Sequence, residues 1–75
     1  MDIAPSTFEI TYFFQKDVRE ATEPADLDEK RHVIMSRATT VTRAINKLIR
    51  ELKGEAKIDN AKEVVILEAK VVPGV

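Results

Sequence analysis

His32 is the only histidine of the chain, and there is no cysteine, so it is the one side chain whose ordinary pKa suits proton transfer near neutral pH. A general base needs a nucleophile or an orienting acid within hydrogen-bond reach, and Asp28 and Glu29 are the candidates beside it in sequence. Glycine occurs only at positions 54 and 74, which leaves no loop of the kind that cradles a phosphate. The run Asp26-Leu27-Asp28-Glu29 resembles the start of a calcium loop, which continues with an oxygen ligand, then glycine, and closes on glutamate. Lys30, Arg31 and Arg37 stand at those three places, so the run reads as a solvated acidic loop. Nothing calls for a cofactor, a metal ion or a catalytic residue. The expectation is a protein that is not an enzyme and takes no small-molecule substrate.

Binding chemistry is better represented. Net charge is −1, but residues 1–30 hold eight acids against three bases (−5), and residues 31–57 hold seven bases against two acids (+5). Much of the positive charge falls on a segment with helical spacing. At ~100° per residue, Arg43, Asn46, Lys47 and Arg50 share one face, with Lys53 beside them, a stripe able to follow a phosphate backbone. A solvated outer face built from good helix formers explains the same residues. All four aromatics lie in Phe8-Glu-Ile-Thr-Tyr-Phe-Phe14, where Phe8, Ile10, Tyr12 and Phe14 alternate onto one face of a strand. Phe13 is left on the other face with Thr11 and Gln15. The single base nearby, Lys16, argues against a stacking platform for single-stranded nucleic acid.

The elements that hold these residues follow from periodicity. Thr7 to about Val18 reads as a strand rich in Thr, Phe, Tyr and Ile. Glu20 to Glu29 contains Pro24 and reads as an acidic, exposed connection. Residues 31–38 suit either a short strand or an extension of the following helix. The strand is preferred, because the β-branched Thr39-Thr40-Val41-Thr42 is a poor helix interior and a good helix start. From about Thr40 to Lys53, Val41, Ala44, Ile45, Leu48, Ile49 and Leu52 recur at helical spacing, and Gly54 stands where a left-handed C-terminal residue belongs. Residues 55–62 form a polar connection, and Glu63 to Val72 reads as the last strand. Val65, Leu67, Ala69 and Val71 then fall on one face, Val64 and Ile66 on the other.

The order β-β-α-β predicts a single α+β domain over 1–75. One amphipathic helix packs on one face of a three-stranded, mainly antiparallel sheet, with residues 1–6 and 73–75 as flexible ends. No motif ties the chain to a known family. A chain of this size without disulfides gains from a partner. Phe13, Val64 and Ile66, placed on the uncovered face, are the candidate protein interface. The function expected is a small protein-interaction module, self-associating as a homodimer through the open sheet face or a strand edge. The alternative is a nucleic-acid-binding accessory or regulatory protein that uses the basic helix face. With no apolar run long enough for a membrane span and no secretory signal, the default location is cytoplasmic.

Overall fold

The computed structural model describes residues 4–73. In chain order the elements are β1 (Ser6–Phe14), α1 (Gln15–Glu20), α2 (Pro24–Asp28), β2 (His32–Ala38), α3 (Val41–Gly54), a 3₁₀ turn (Ala61–Glu63) and β3 (Val64–Val71). The sheet order is β2-β1-β3, and both pairings are antiparallel. The aromatic strand is therefore the centre of the sheet. β2 and β3 run in the same direction on either side of it, and α3 is the crossover between them.

The alternation of β1 is what builds the core. Phe8, Ile10 and Tyr12 are buried together with Ala44, Leu48 and Leu52 of α3 and with Ile58. Phe14, Ile34, Ile45, Ile49, Val64 and Ile66 pack partly buried around them. α3 approaches β2 closely where both residues are small: the buried Ser36 hydroxyl donates to the Ala44 carbonyl at 3.2 Å. That bond satisfies a hydroxyl that would otherwise be stranded in an apolar layer. Thr40 caps α3, its Oγ1 accepting from the Arg43 amide at 3.1 Å. Residues 32–38 are thus a strand, and the threonines that resist a longer helix serve as its start.

Four expectations are corrected. The first strand stops at Phe14 rather than near Val18, because the alternation ends there and Gln15-Lys-Asp-Val-Arg-Glu20 turns helical. The acidic connection is exposed but contains α2. That helix starts with Pro24 at its first position and is held by Asp26, whose Oδ2 accepts from the Thr22 amide, the Thr22 hydroxyl and the Glu23 amide at 3.0–3.2 Å. Gly54 is the last residue of α3, and the left-handed position is Ala56, at φ 59°. The Lys57 amide bonds the Leu52 carbonyl and the Ala56 amide bonds the Lys53 carbonyl, both at 3.0 Å, which is a Schellman ending built on alanine. This tight reversal drops Ile58 into the core from the stretch expected to be a polar connection.

The fourth correction concerns β3. Thr11 faces Glu68 and Tyr12 faces Ile66, so Leu67 is an extra residue without a partner. The bulge shifts the alternation by one. Val64 and Ile66 lie opposite Phe14 and Tyr12 on the helix side, while Val65 lies opposite Phe13 on the open side. Ala69 and Val71, beyond the bulge, are on the helix side opposite Ile10 and Phe8. Of the ends expected to be flexible, residues 1–3 and 74–75 lie outside the described residues, and Ser6 already belongs to β1.

Candidate interaction surfaces

The open face of the sheet is formed by alternate residues of all three strands. β1 contributes Thr7, Glu9, Thr11 and Phe13, and β2 contributes Arg37, Met35 and Val33 opposite the first three of these. β3 contributes Lys70, Glu68 and Val65 opposite Glu9, Thr11 and Phe13. Alternation from Ile66 sends the bulged Leu67 to this side as well. Met35 is 58% exposed, Val33 52% and Leu67 51%. Lys70 reaches Glu9 at 3.6 Å across the two strands.

Phe13, the residue singled out from the sequence as a contact residue, lies on this face yet is only 6% exposed and is covered by its own chain. It therefore acts in packing. Val64 and Ile66 are on the other side of the sheet, for the bulge reason above. The apolar side chains that are accessible on the open face are Val33, Met35 and Leu67. Val33 and Met35 were missed because the strand over 31–38 was ambiguous, and Leu67 because alternation was carried unbroken through β3. The signal was present: the continuous apolar run Val64-Val-Ile-Leu67 ends in the pattern Glu68-Ala-Lys-Val71, a change of phase that marks an extra residue.

Arg43, Asn46, Lys47, Arg50 and Lys53 are all exposed, on the side of α3 away from the buried Ala44, Leu48 and Leu52. None of the four cations joins an ion pair among the described residues, where the pairs are Arg31–Asp28, Lys57–Glu55 and Lys70–Glu9. Arg43, Asn46, Lys47 and Arg50 border a shallow groove whose other wall is Pro5, Ala38 and Thr39.

His32 sits opposite Tyr12 in the β1–β2 register, and the two rings stack with centroids 5.0 Å apart and planes at 18°. Phe14 meets His32 edge-on at 5.1 Å and Tyr12 at 5.7 Å. Burial pushes the Tyr12 phenol above its usual pKa, with Lys57 opposing and Glu55 reinforcing the shift. The hydrogen bond from Lys57 to Glu55, which lie 3.0 Å apart, holds the ammonium above its own usual value. No cluster of three or more His, Asp or Glu side chains able to hold a metal ion occurs among the described residues. Nor is any helix among them long and apolar enough to cross a membrane.

Compared with family models, curated proteins and solved structures, the chain matches none.

Proposed function

We propose that the protein is a small, non-enzymatic interaction module that pairs with a second copy of itself through the open face of its sheet. The observation that carries this reading is the asymmetry of a one-layer sheet. One face is filled by α3, while the other presents Met35, Val33 and Leu67 at half exposure or more. A sheet with an apolar, uncovered face gains free energy from a cover.

A second copy fits this face by its own pattern. Consider a two-fold axis lying across the strands between Glu9 and Thr11. It sets β2 of one copy over β2 of the other, running oppositely, so that Met35 meets the other copy's Val33. On β3 the same operation sets Lys70 over the other copy's Glu68. Apolar residues meet apolar residues and opposite charges meet, as an isologous contact requires. The reading as a non-enzyme rests on the absence of cysteine in the chain and on the one histidine being packed against two aromatic rings.

Sedimentation velocity at micromolar concentration tests the pairing. The wild type is expected to sediment as a concentration-dependent dimer and Met35→Lys as a monomer with an unchanged circular dichroism spectrum. A wild type that stays monomeric into the high micromolar range would overturn the proposal.

The nucleic-acid reading is favoured by one observation, the four unpaired cations on the outer face of α3. It requires affinity for DNA or RNA that falls with salt, with a shallower slope once Lys47 or Arg50 is replaced by Gln. The acids of a −1 molecule oppose such binding, which is why it stands second.

A further inference from the structure

Residues 1–30 hold only three bases, and two of them, Lys16 and Arg19 of α1, line the same cleft. The cleft runs between α1 and the loop that follows α3. Its α1 half has a volume of about 370 Å³ and is lined by Phe14, Lys16, Arg19, Lys57, Asn60 and Glu63 among others. It continues into a second depression of about 430 Å³ that shares Phe14, Lys16 and Lys57 and is floored by Tyr12 and His32. Three cations thus line a cleft that also holds three packed rings, His32 stacked on Tyr12 and Phe14 edge-on to both, in a molecule whose overall charge is −1.

Glu63, the acid in the lining, and Glu55, the neighbour of Lys57, both have partners. Glu55 is paired with Lys57 at 3.0 Å. The Glu63 carboxylate accepts from the amides of Asn60, at 2.9 Å, and Asp59. Lys16 and Arg19 have no carboxylate partner among the described residues. They are exposed and converge on the half of the cleft next to the rings. The imidazole of His32 lies flat on Tyr12, is half-buried and lines the depression.

We infer that this cleft binds a nucleotide, its base stacked against the His32–Phe14 corner and its phosphate held by Lys16 and Arg19 with Lys57 behind them. A flat, polarisable ring suits the aromatic lining, and a compact anion suits Lys16 and Arg19, the two cations of the cleft without a carboxylate partner among the described residues. Each half falls within the size range of small-molecule sites. The cleft lies beyond the helix-side edge of the core, so it is separate from the open face and from the outer face of α3, and the inference does not depend on self-association.

The test is a titration of the isotopically labelled 75-residue chain, followed by NMR, with adenosine monophosphate in one arm and a short single-stranded oligonucleotide in the other. Saturable shifts at Tyr12, Phe14, Lys16 and His32 are expected in at least one arm. The arm in which they appear at lower concentration identifies whether the source is a free nucleotide or a strand end. Lys16→Gln combined with Arg19→Gln, both exposed positions, is expected to weaken binding about tenfold or more while the fold is retained. His32→Gln is expected to weaken adenosine monophosphate severalfold while leaving the weaker binding of inorganic phosphate unchanged. Two results would overturn the inference. One is the absence of saturable shifts at the cleft up to roughly 10 mM ligand, beyond the weakest affinities worth assigning. The other is shifts confined to Arg43, Lys47 and Arg50 on α3.

Discussion

The two faces of this sheet share one central strand but have opposite fates. On the helix side, Phe8, Ile10 and Tyr12 meet Leu48 and Leu52, and Ile10 has no exposed surface at all. On the open side, Met35, Val33 and Leu67 have no layer above them, while Thr7 and Phe13 are buried. The difference shows that hydrophobic residues in a small sheet serve two purposes that composition cannot separate. One set closes the fold and the other is left available. Residue size does not sort them, since Phe13 and Met35 are both large. What sorts them is whether another part of the same chain reaches the face at that row.

The largest effects are expected on the covered side. Leu48→Ala should destabilise by about 2–5 kcal/mol in urea unfolding, a large share of the stability of so small a domain. Phe13→Ser sharpens the comparison, because it tests a buried residue on the open side. A loss of about 3 kcal/mol or more is expected, in line with a core aromatic and not with a surface contact. If Phe13→Ser left stability untouched, the division between packing and contact residues on that face would be broken.

Smaller effects are expected where the chain turns. Ala56→Gly should stabilise by about 1 kcal/mol, because alanine is held in the left-handed region that glycine occupies freely. Gly54→Ala should add about 0.5–1 kcal/mol, since a Cβ at Gly54 meets nothing within 4 Å and the residue is helical. Exchanging the two therefore improves both positions, and a loss from either change, measured by thermal unfolding, would contradict the Schellman geometry. Met35→Lys should alter the stability of the monomer by no more than about 0.5 kcal/mol, as surface substitutions do, while removing self-association.

The capping carboxylates set a dependence on pH outside both faces. Asp26 is held below its ordinary pKa by the Thr22 hydroxyl first and then by the Thr22 and Glu23 amides. Glu63 is held below its own by the Asn60 amide and then by that of Asp59. A depressed folded pKa means that the stabilisation is complete above the ordinary carboxylate range and is lost as pH falls through it towards the folded value. Urea midpoints should therefore fall between about pH 6 and about pH 3, and less steeply in Asp26→Asn and Glu63→Gln.

Much of the architecture was legible in the residues themselves. The apolar stripe of α3 and the aromatic alternation of β1 follow from periodicity, while residues 31–38 fit strand or helix and only the β-branched run at 39–42 favours the strand that 32–38 form. The parts that were not legible share a cause: a single residue altered the local geometry. Leu67 reverses the faces of the first half of β3, and Ala56 adopts a conformation that composition assigns to Gly54. Ile58 is carried into the core only because of that reversal. Of the surface reading, the basic residues of α3 stand where the wheel put them. The open-face set had to be redrawn from Phe13, Val64 and Ile66 to Val33, Met35 and Leu67.

The most direct measurement is an isotope-filtered NOE experiment on an equal mixture of labelled and unlabelled protein. Self-association through the open face predicts cross-peaks between the Met35 methyl of one copy and the Val33 methyls of the other. Their absence in a sample that sediments as a dimer, or intermolecular cross-peaks that run instead to α3, would contradict it.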